Sequence, residues 1–368
     1  MRAHHNNIGP LRLLFASLVI FGHAPELIDG DRSREPLTVL FHTLSLGDLA
    51  VDAFFLLSGY LITKSYMRNG NLVVYLERRV LRIYPAFLVA SVVSIFLLGA
   101  LLGAAPWLSL GKTVARMALL YDPTIYVDVH TGHPLRSFNG SMWTIIYEFR
   151  CYLLIALLGQ IGCLKRRWLI AALTLAGLAA NIALTYPAMR AWSDHLAANK
   201  ALFFTLGDPF QTVRLTAGFL VGANAWLFRD ELAPLLRARI TVPALAMCAA
   251  LMFEPHLAEV ALLLLGGLFL FWLALAADFG PLRHLNDRWD ISYGVYLYGW
   301  PAALFVLWLL PAVGPIALAF ASLALAVLAG AASWWGVEKW SKGRQILPRG
   351  VVRMFQTVPM PEEGRSPA

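Results

Sequence analysis

The sequence predicts an all-α membrane protein, a polytopic bundle of about ten transmembrane helices with both chain ends on the cytoplasmic side. Of its 368 residues, 59% are hydrophobic and only 14% are charged, which is too apolar for a soluble domain. Apolar stretches of roughly 17 to 25 residues recur along the chain, and each is long enough to cross a hydrocarbon core of about 30 Å as a helix. Runs such as 262–277 and 316–332 are apolar on every face, so the alternating strands of a membrane barrel are excluded.

The predicted spans follow these stretches in order. They are residues 10–28, 46–66, 83–104, 141–160, 168–186, 210–228, 240–254, 257–276, 291–312 and 315–336. Ten spans place both ends on one side, and 21 of the 30 lysines and arginines then fall on that side. Because basic residues concentrate in cytoplasmic connections, we expect both termini in the cytoplasm.

The remaining segments complete the predicted organisation. Residues 1–340 form one membrane domain, and the connection 105–140 is expected to be a structured lid with a short amphipathic piece. Residues 341–368 are basic and then proline-containing, and we expect a disordered cytoplasmic tail. The three cysteines show neither disulfide nor metal-ligand spacing, and the net charge of +8 is explained by the connections between spans.

Polar side chains inside the first two spans are the first candidates for a site, because charge within a bilayer usually marks a functional path. Arg12 and His23 are eleven residues apart, so they share one helix face about 16 Å apart. One would hold a donor while the other reaches deeper; alternatively, Arg12 extends to the interface and His23 is a satisfied interior histidine. In the second span, Asp52 either orients an imidazole or forms a buried ion pair or a helix cap, and Ser58 lies near it.

An arginine cluster precedes the third predicted span. Arg78 and Arg82 lie at i,i+4 if this connection is helical, Arg79 is between them, and Pro85 is expected to disturb the turn where the span begins. Arginine forks match phosphate geometry, so the cluster suits a phosphorylated donor such as coenzyme A. Topology signalling or binding of anionic lipids is the alternative.

The fourth and ninth spans add further candidates. Glu148 is a second acid–base candidate, with an ion pair to an arginine as the structural alternative. Ser292 and Tyr293 open a ninth span that we expect Pro301 to break. Its aromatic rings suit sugar or adenine binding, although anchoring in lipid is the favoured interpretation.

Taken in order, these motifs resemble the bacterial membrane O-acyltransferases of acyltransferase family 3 over roughly residues 8–340. The matching segments are Arg12 with His23, Asp52–Gly59, Arg78–Pro85, Ser141–Glu148, Ser292–Leu297 and Ser333–Trp340. In the last segment Trp340 replaces a proline of the family pattern, which leaves the geometry of that turn open.

The resemblance implies transfer of acetyl, or another short acyl group, from cytoplasmic acyl-coenzyme A to a hydroxyl of a cell-surface or exported glycan, in the bacterial inner membrane. The implied partners are acyl-coenzyme A, a carbohydrate acceptor and membrane lipids, without metal or nucleic acid, and the sequence leaves a homo-oligomer open.

His23 would act as general base or carry the acyl group covalently. The expected catalytic residues are His23, Arg12, Glu148 and Asp52. The expected donor-binding residues are Arg78, Arg79, Arg82 and Arg12. Candidates for substrate or oxyanion contacts are Ser58, Tyr147, Trp143, Ser292 and Tyr293.

A transporter or flippase is the alternative from another functional class, because polar residues within spans also line substrate paths. Two similar halves would favour a transporter, and the sequence does not show them. A membrane sensor that has lost catalysis is a second alternative, and the presence of Arg12, His23 and Glu148 argues against it.

Overall fold

A computed structural model describes residues 6–69, 71–101, 110–123, 137–286 and 289–341, and this part of the chain consists of helices and connecting turns. The helices that matter below are α1 (Ile8–Asp29), α2 (Pro36–Phe41), α3 (Leu46–Asn69), α4 (Leu72–Val92), α5 (Leu110–Ala118), α6 (Ile145–Gln160), α7 (Arg167–Ala183), α8 (Pro187–Ala198), α9 (Lys200–Leu206), α10 (Pro209–Leu227), α11 (Ala238–Leu251), α12 (Ala258–Leu275), α13 (Ser292–Leu309) and α14 (Pro315–Ser333). Helix α4 runs on through Val93–Leu98, and a 3₁₀ turn, Gly140–Thr144, leads into α6. The all-α prediction is confirmed for the described residues.

Six helical segments of the described chain are long and apolar enough to cross a membrane. They are Ile8–Asp29, Leu46–Arg68, Leu72–Phe96, Gly140–Gln160, Ala258–Leu275 and Pro315–Ser341. The number rises to eight if each of two bent pairs is one span: α7 with α8, bent by 101°, and Arg229–Leu235 with α11, bent by 88°. Helices α10 and α13 occupy the two other predicted spans and are not among these segments.

The centre of the bundle is built from α1, α3, α10 and α13. Helix α3 packs between α1 and α10, and α13 packs between α1 and α14. Helices α1 and α3 run antiparallel, since the ring of Phe15 lies 6.1 Å from that of Phe54 and Gly22 faces Gly47. We call the end of the bundle where α1 begins the Arg12 end, and the end where α1 finishes the His23 end.

Close approach of α3 and α10 depends on glycine. A Cβ at Gly59 would collide with the carbonyl of Phe219, and a Cβ at Gly222 would collide with the carbonyl of Leu56. Small residues that let helix backbones meet are the usual means of helix association in membranes, where lipid is as apolar as the helices. This contact fixes α3, which carries several candidate site residues, against the core.

Two predicted details of local structure are wrong. The third helix begins at Leu72 rather than near residue 83, because the side chain of Asn71 accepts a hydrogen bond of 3.1 Å from the Val74 amide and caps it. The arginine cluster therefore lies inside α4, and Pro85 does not interrupt it. Likewise α13 runs unbroken through Pro301. Neighbouring helices let membrane helices tolerate proline.

The predicted lid is described in part. Helix α5 is its short helical piece, and the hydroxyl of Tyr84 donates to the carbonyl of Ala118 at 2.9 Å, which ties α5 to α4. The remainder of the lid, residues 102–109 and 124–136, lies outside the described residues. So does the predicted tail from residue 342 onward.

Candidate active site

A cavity of about 750 Å³ lies among α1, α3, α4, α6 and α13. Eight of the sequence-predicted residues line it together: Arg12, Ser58, Arg78, Arg79, Arg82, Glu148, Ser292 and Tyr293. The rest of its wall is mostly aliphatic and aromatic, as in small-molecule sites that use a few polar groups for specificity. The motifs that are far apart in the sequence therefore form one chamber.

Two of its arginines are held by carboxylates at the Arg12 end. Asp290 accepts from Arg12 at 3.0 Å and from Arg82 at 2.8 Å, and Glu338 accepts from Arg82 at 3.2 Å. The other oxygen of Asp290 accepts from the Ser292 hydroxyl at 2.6 Å. These contacts join α1, α4, α13 and the end of α14, so Arg12 and Arg82 are fixed in place and largely neutralised.

The other two arginines lack this compensation. Within the described part of the chain, no carboxylate lies within 4 Å of Arg78 or Arg79. The Arg79 guanidinium lies over the rings of Tyr75 and Tyr152, at 5.6 and 5.8 Å, and its buried Nε finds no acceptor among the described residues. The positive charge available to an anionic ligand is therefore concentrated at Arg78 and Arg79.

Deeper in the cavity, Ser58, Glu148 and Tyr152 form a hydrogen-bonded group. Glu148 Oε1 accepts from the Ser58 hydroxyl at 3.2 Å and from the Tyr152 hydroxyl at 2.5 Å. The second oxygen, Oε2, receives no hydrogen bond from the described residues, and no arginine pairs with it there. The arginine pair suggested by the sequence as the structural alternative is absent from that part of the chain.

Aromatic rings line the cavity on the side toward His23, and Val51, one turn further along α3 toward that end, also lines it. The ring of Phe54 lies 6.0 Å from that of Tyr296, and both residues line the cavity. Tyr296 is fixed, because its hydroxyl donates to the Ser141 carbonyl at 2.5 Å and lies 2.6 Å from the Thr144 hydroxyl. The ring of Phe54 contacts those of Phe15 and Tyr296 and packs against the hydrophobic core. We call Phe54 with Tyr296 the roof of the cavity.

His23 does not line the cavity but lies beyond the roof. Its ring is 4.9 Å from that of Trp300, which follows Tyr296 by one turn of α13. Nδ1 lies 2.8 Å from Glu26 Oε2. Because a carboxylate only accepts, Nδ1 carries the proton and Nε2 is left as the basic nitrogen. Arg32 donates to the same Glu26 oxygen at 3.1 Å.

Asp52 contacts an arginine rather than His23. Its Oδ2 accepts from Arg214 at 2.7 Å, and Arg214 also donates to Glu259 at 2.7 Å and to Asp48 at 3.2 Å. Arg214 and Asp52 are buried, with 3% and 1% of their side chains exposed. No group of three potential metal ligands occurs among the described residues. Asp52 is thus part of a buried ionic cluster, and Glu26 holds the imidazole.

Tyr147 and Trp143 lie away from the cavity. The Tyr147 hydroxyl accepts from the Asp208 amide at 2.9 Å, and its ring contacts that of Trp143 at 5.7 Å and the guanidinium of Arg150 at 5.4 Å. These contacts join α6 to the start of α10. They are structural contacts between helices, so the oxyanion role suggested for Tyr147 has no support from its position.

Sequence reasoning missed several members of the site. Glu26 follows His23 by three residues, a helical spacing that identifies the contact. Tyr152 follows Glu148 by four residues and is found in the same way. No local spacing in the sequence connects Asp290 to Arg12 and Arg82, because Arg12 lies on α1, Arg82 on α4 and Asp290 in the connection before α13.

Comparison with known proteins identifies the family of this chain. The family model described as "Acyltransferase domain", that of acyltransferase family 3, matches residues 7–335. An "O-acetyl transferase" of Shigella phage Sf6 is 27% identical over 302 residues, covering 80% of this chain and 84% of that protein. "Nodulation protein 10" of Rhizobium leguminosarum bv. viciae is 29% identical over 363 residues, covering 88% and 92%. "Acyltransferase MdmB" of Streptomyces mycarofaciens is 31% identical over 146 residues, covering 38% and 35%.

No solved structure matches the chain significantly. The family match extends over nearly the whole membrane domain and over every helix that lines the cavity. The transporter and sensor interpretations are thereby set aside. The chain belongs to acyltransferase family 3 and is a multi-pass membrane acyltransferase.

Proposed function

We propose that this enzyme transfers an acetyl or other short acyl group from acyl-coenzyme A to a hydroxyl of a cell-surface or exported glycan. The observation that carries the proposal is the cavity, which has uncompensated arginines at the Arg12 end and leads toward His23. The name of the Shigella phage Sf6 relative, an O-acetyl transferase, supports both an acetyl group and an oxygen acceptor.

The donor would enter at the Arg12 end. Arg78 and Arg79 offer guanidiniums without carboxylate partners among the described residues, and such forks bind phosphate oxygens in pairs. Arg12 and Arg82, held by Asp290, would complete the wall around the phosphates. The distance along α1 from Arg12 to His23 is about 16 Å. The pantetheine arm has the chain length of about four residues and extends about 14 Å, which suits this separation.

His23 would act as the general base on the far side of the roof. Nε2 would take the proton of the acceptor hydroxyl while the acceptor oxygen bonds to the carbonyl carbon of the thioester. The carbon–sulfur bond would then break, and the proton would pass from Nε2 to the leaving sulfur. Glu26 holds Nδ1 and stabilises the imidazolium that forms. The cavity reaches Val51, one turn beyond Phe54 on α3, so the thioester would pass beside the Phe54 ring on its way to His23.

The acceptor would approach from the His23 end. The His23 side chain is 12% exposed and that of Arg32 is 40% exposed, so this end is open to a polar ligand. We propose that ten helices, α10 and α13 among them, cross the bacterial inner membrane with both termini in the cytoplasm. Basic residues then concentrate on the side of the Arg12 end, which supports a cytoplasmic donor.

The test is release of free coenzyme A from acetyl-coenzyme A by purified protein in lipid discs, with and without crude envelope glycan. We expect glycan to stimulate thiol release, and Arg78→Ala with Arg79→Ala to raise the KM for the donor much more than it lowers kcat. If the KM for the donor is near normal in this double variant, the arginines do not bind the donor and serve as topology signals instead. Absence of donor binding and turnover by the folded wild type, with longer acyl donors also tried, would refute the proposed donor.

A further inference from the structure

Glu148 lies on the donor side of the roof, away from His23. Ser58, which donates a hydrogen bond to Glu148, follows Phe54 by four residues on α3. It therefore lies about one helical turn nearer the Arg12 end than the roof does. Tyr152, its other donor, contacts the guanidinium of Arg79. The carboxylate therefore lies between the uncompensated arginines and the roof, at an intermediate depth in the cavity.

The hydrogen bonds of this carboxylate are arranged asymmetrically. Both protein donors bind Oε1, whereas Oε2 receives no hydrogen bond from the described residues. A carboxylate in an apolar chamber is costly unless hydrogen-bond donors surround it. Ser58 and Tyr152 hold the group in one orientation and leave Oε2 for a ligand that brings its own N–H or O–H.

We propose that Ser58, Glu148 and Tyr152 form a binding subsite for the amide-bearing phosphopantetheine arm of the donor. Such an arm carries two secondary amides between its phosphate and its sulfur, and either N–H can donate to Glu148 Oε2. The aliphatic walls beside the group, Leu57 and Leu61 on α3 and Ile145 on α6, suit the methylenes of the arm. This inference rests on the proposed function and assigns Glu148 a binding role.

The position of the roof argues against proton transfer by Glu148 at the reacting thioester. Tyr296 and Phe54 separate the carboxylate from His23, and Trp300, which contacts His23, is a further turn along α13. A general acid or base must come within hydrogen-bond reach of the proton it moves. Glu148 meets this condition for the arm but not for an acceptor bound at His23.

Equilibrium binding tests the proposal without depending on turnover. The folded wild type and Glu148→Ala are titrated in lipid discs with coenzyme A, with phosphopantetheine, and with adenosine 3′,5′-bisphosphate, which has phosphates but no arm. We expect Glu148→Ala to weaken coenzyme A binding roughly ten- to a hundredfold, the effect of one hydrogen bond to a charged group, and to leave the bisphosphate unchanged. Arg79→Ala, the matched control, should weaken both ligands.

Conservative variants separate the subsite from a fold defect. Tyr152→Phe and Ser58→Ala each remove one hydroxyl, and each should weaken coenzyme A binding less than Glu148→Ala, with the bisphosphate again unchanged. Equal affinity of wild type and all three variants for coenzyme A would refute the subsite while leaving the proposed function intact. Loss of one limb of the kcat–pH profile in Glu148→Gln, with unchanged coenzyme A affinity, would assign Glu148 to acid–base chemistry instead.

The same titration identifies the source of the arm. Binding of both the bisphosphate and phosphopantetheine assigns the arm to coenzyme A. A second outcome is that the wild type binds phosphopantetheine in a Glu148-dependent way but does not bind the bisphosphate. That outcome would support the subsite, assign the arm to a carrier protein, and contradict coenzyme A as the donor. Binding of none of the three ligands by folded wild type refutes the subsite and the proposed donor together.

Discussion

At the scale of single residues, the charged groups of this protein divide into those with partners and those left for ligands. Arg214 meets three carboxylates, Arg12 and Arg82 meet Asp290, and His23 meets Glu26. Arg78 lacks any such carboxylate among the described residues. Because an unpaired charge is expensive in a membrane, the uncompensated groups are the best indicators of where a ligand binds.

Glu26 provides the first residue-scale prediction. We expect Glu26→Gln to lower kcat about tenfold, because it removes one charge-assisted hydrogen bond from the imidazole, with an unchanged KM for the donor. His23→Ala should lose far more, on the order of 10² to 10⁴ in kcat. Glu26→Asp should recover part of the loss. Steady-state thiol release measures all three, and wild-type kcat in Glu26→Gln would remove Glu26 from the mechanism.

Arg214 provides a second prediction, about stability. Arg214→Met leaves the buried carboxylates of Asp52 and Glu259, and the partly exposed one of Asp48, without their shared partner. It should destabilise the protein by about 3 to 5 kcal/mol. Its matched control is Arg190→Met, which breaks the exposed pair with Asp194 and should cost less than about 1 kcal/mol. Unfolding in a graded detergent mixture compares them. Equal unfolding midpoints for the two variants would contradict the structural role of the buried cluster.

At the scale of helices, much of the structure could be predicted from apolar length alone, and the exceptions have local causes. The sequence placed a helix at each apolar stretch, but the start of α4 depends on the cap at Asn71, which lies in a polar segment without a hydropathy signal. The continuity of α13 through Pro301 depends on neighbours that packing supplies. Of the candidate site, the arginines and Glu148 could be predicted, and Glu26 lies at a helical spacing from His23 that would have identified it. Asp290, the partner of Arg12 and Arg82, needed the folded arrangement.

Helix packing gives an element-scale prediction. Gly222→Ala places a Cβ against the carbonyl of Leu56 and should force α3 and α10 apart, at a cost of about 1 to 3 kcal/mol. Gly177→Ala is the matched control, also a glycine within a helix contact, where the new Cβ would lie 3.4 Å from that of Ala217. We expect Gly177→Ala to unfold at the same detergent fraction as the wild type. A Gly222→Ala protein of unchanged stability would show that α3 and α10 are not tightly packed.

At the scale of the whole molecule, the bundle joins two chemically different ends through one chamber. Arginines without carboxylate partners lie at the Arg12 end, His23 with Glu26 lies at the other, and the roof divides them. Under the proposed function, this division would let a donor and an acceptor enter from opposite sides of the membrane. The separation would also limit contact of the thioester with water until an acceptor is present, which would suppress hydrolysis.

The proposed topology gives a whole-molecule prediction. An epitope inserted between Leu310 and Gly314, the turn that joins α13 to α14, should be reached by antibody only from outside the cell, whereas one fused after Ala368 should be reached only from the cytoplasm. The contrast tests whether α13 crosses the membrane. Detection of both epitopes on the same side would overturn the crossing of α13 and the count of ten spans.

The central proposal is that His23, as general base, promotes transfer of an acyl group from coenzyme A to a glycan hydroxyl. The most direct measurement supplies acetyl-coenzyme A with a deuterated acetyl group to wild type and His23→Ala in lipid discs, adds envelope glycan, and follows the label by mass spectrometry. The account predicts deuterated acetyl esters on the glycan with the wild type and at least a hundredfold less with a folded His23→Ala. Equal labelling by the two proteins, or no labelling by a wild type that binds donor and glycan, would contradict it.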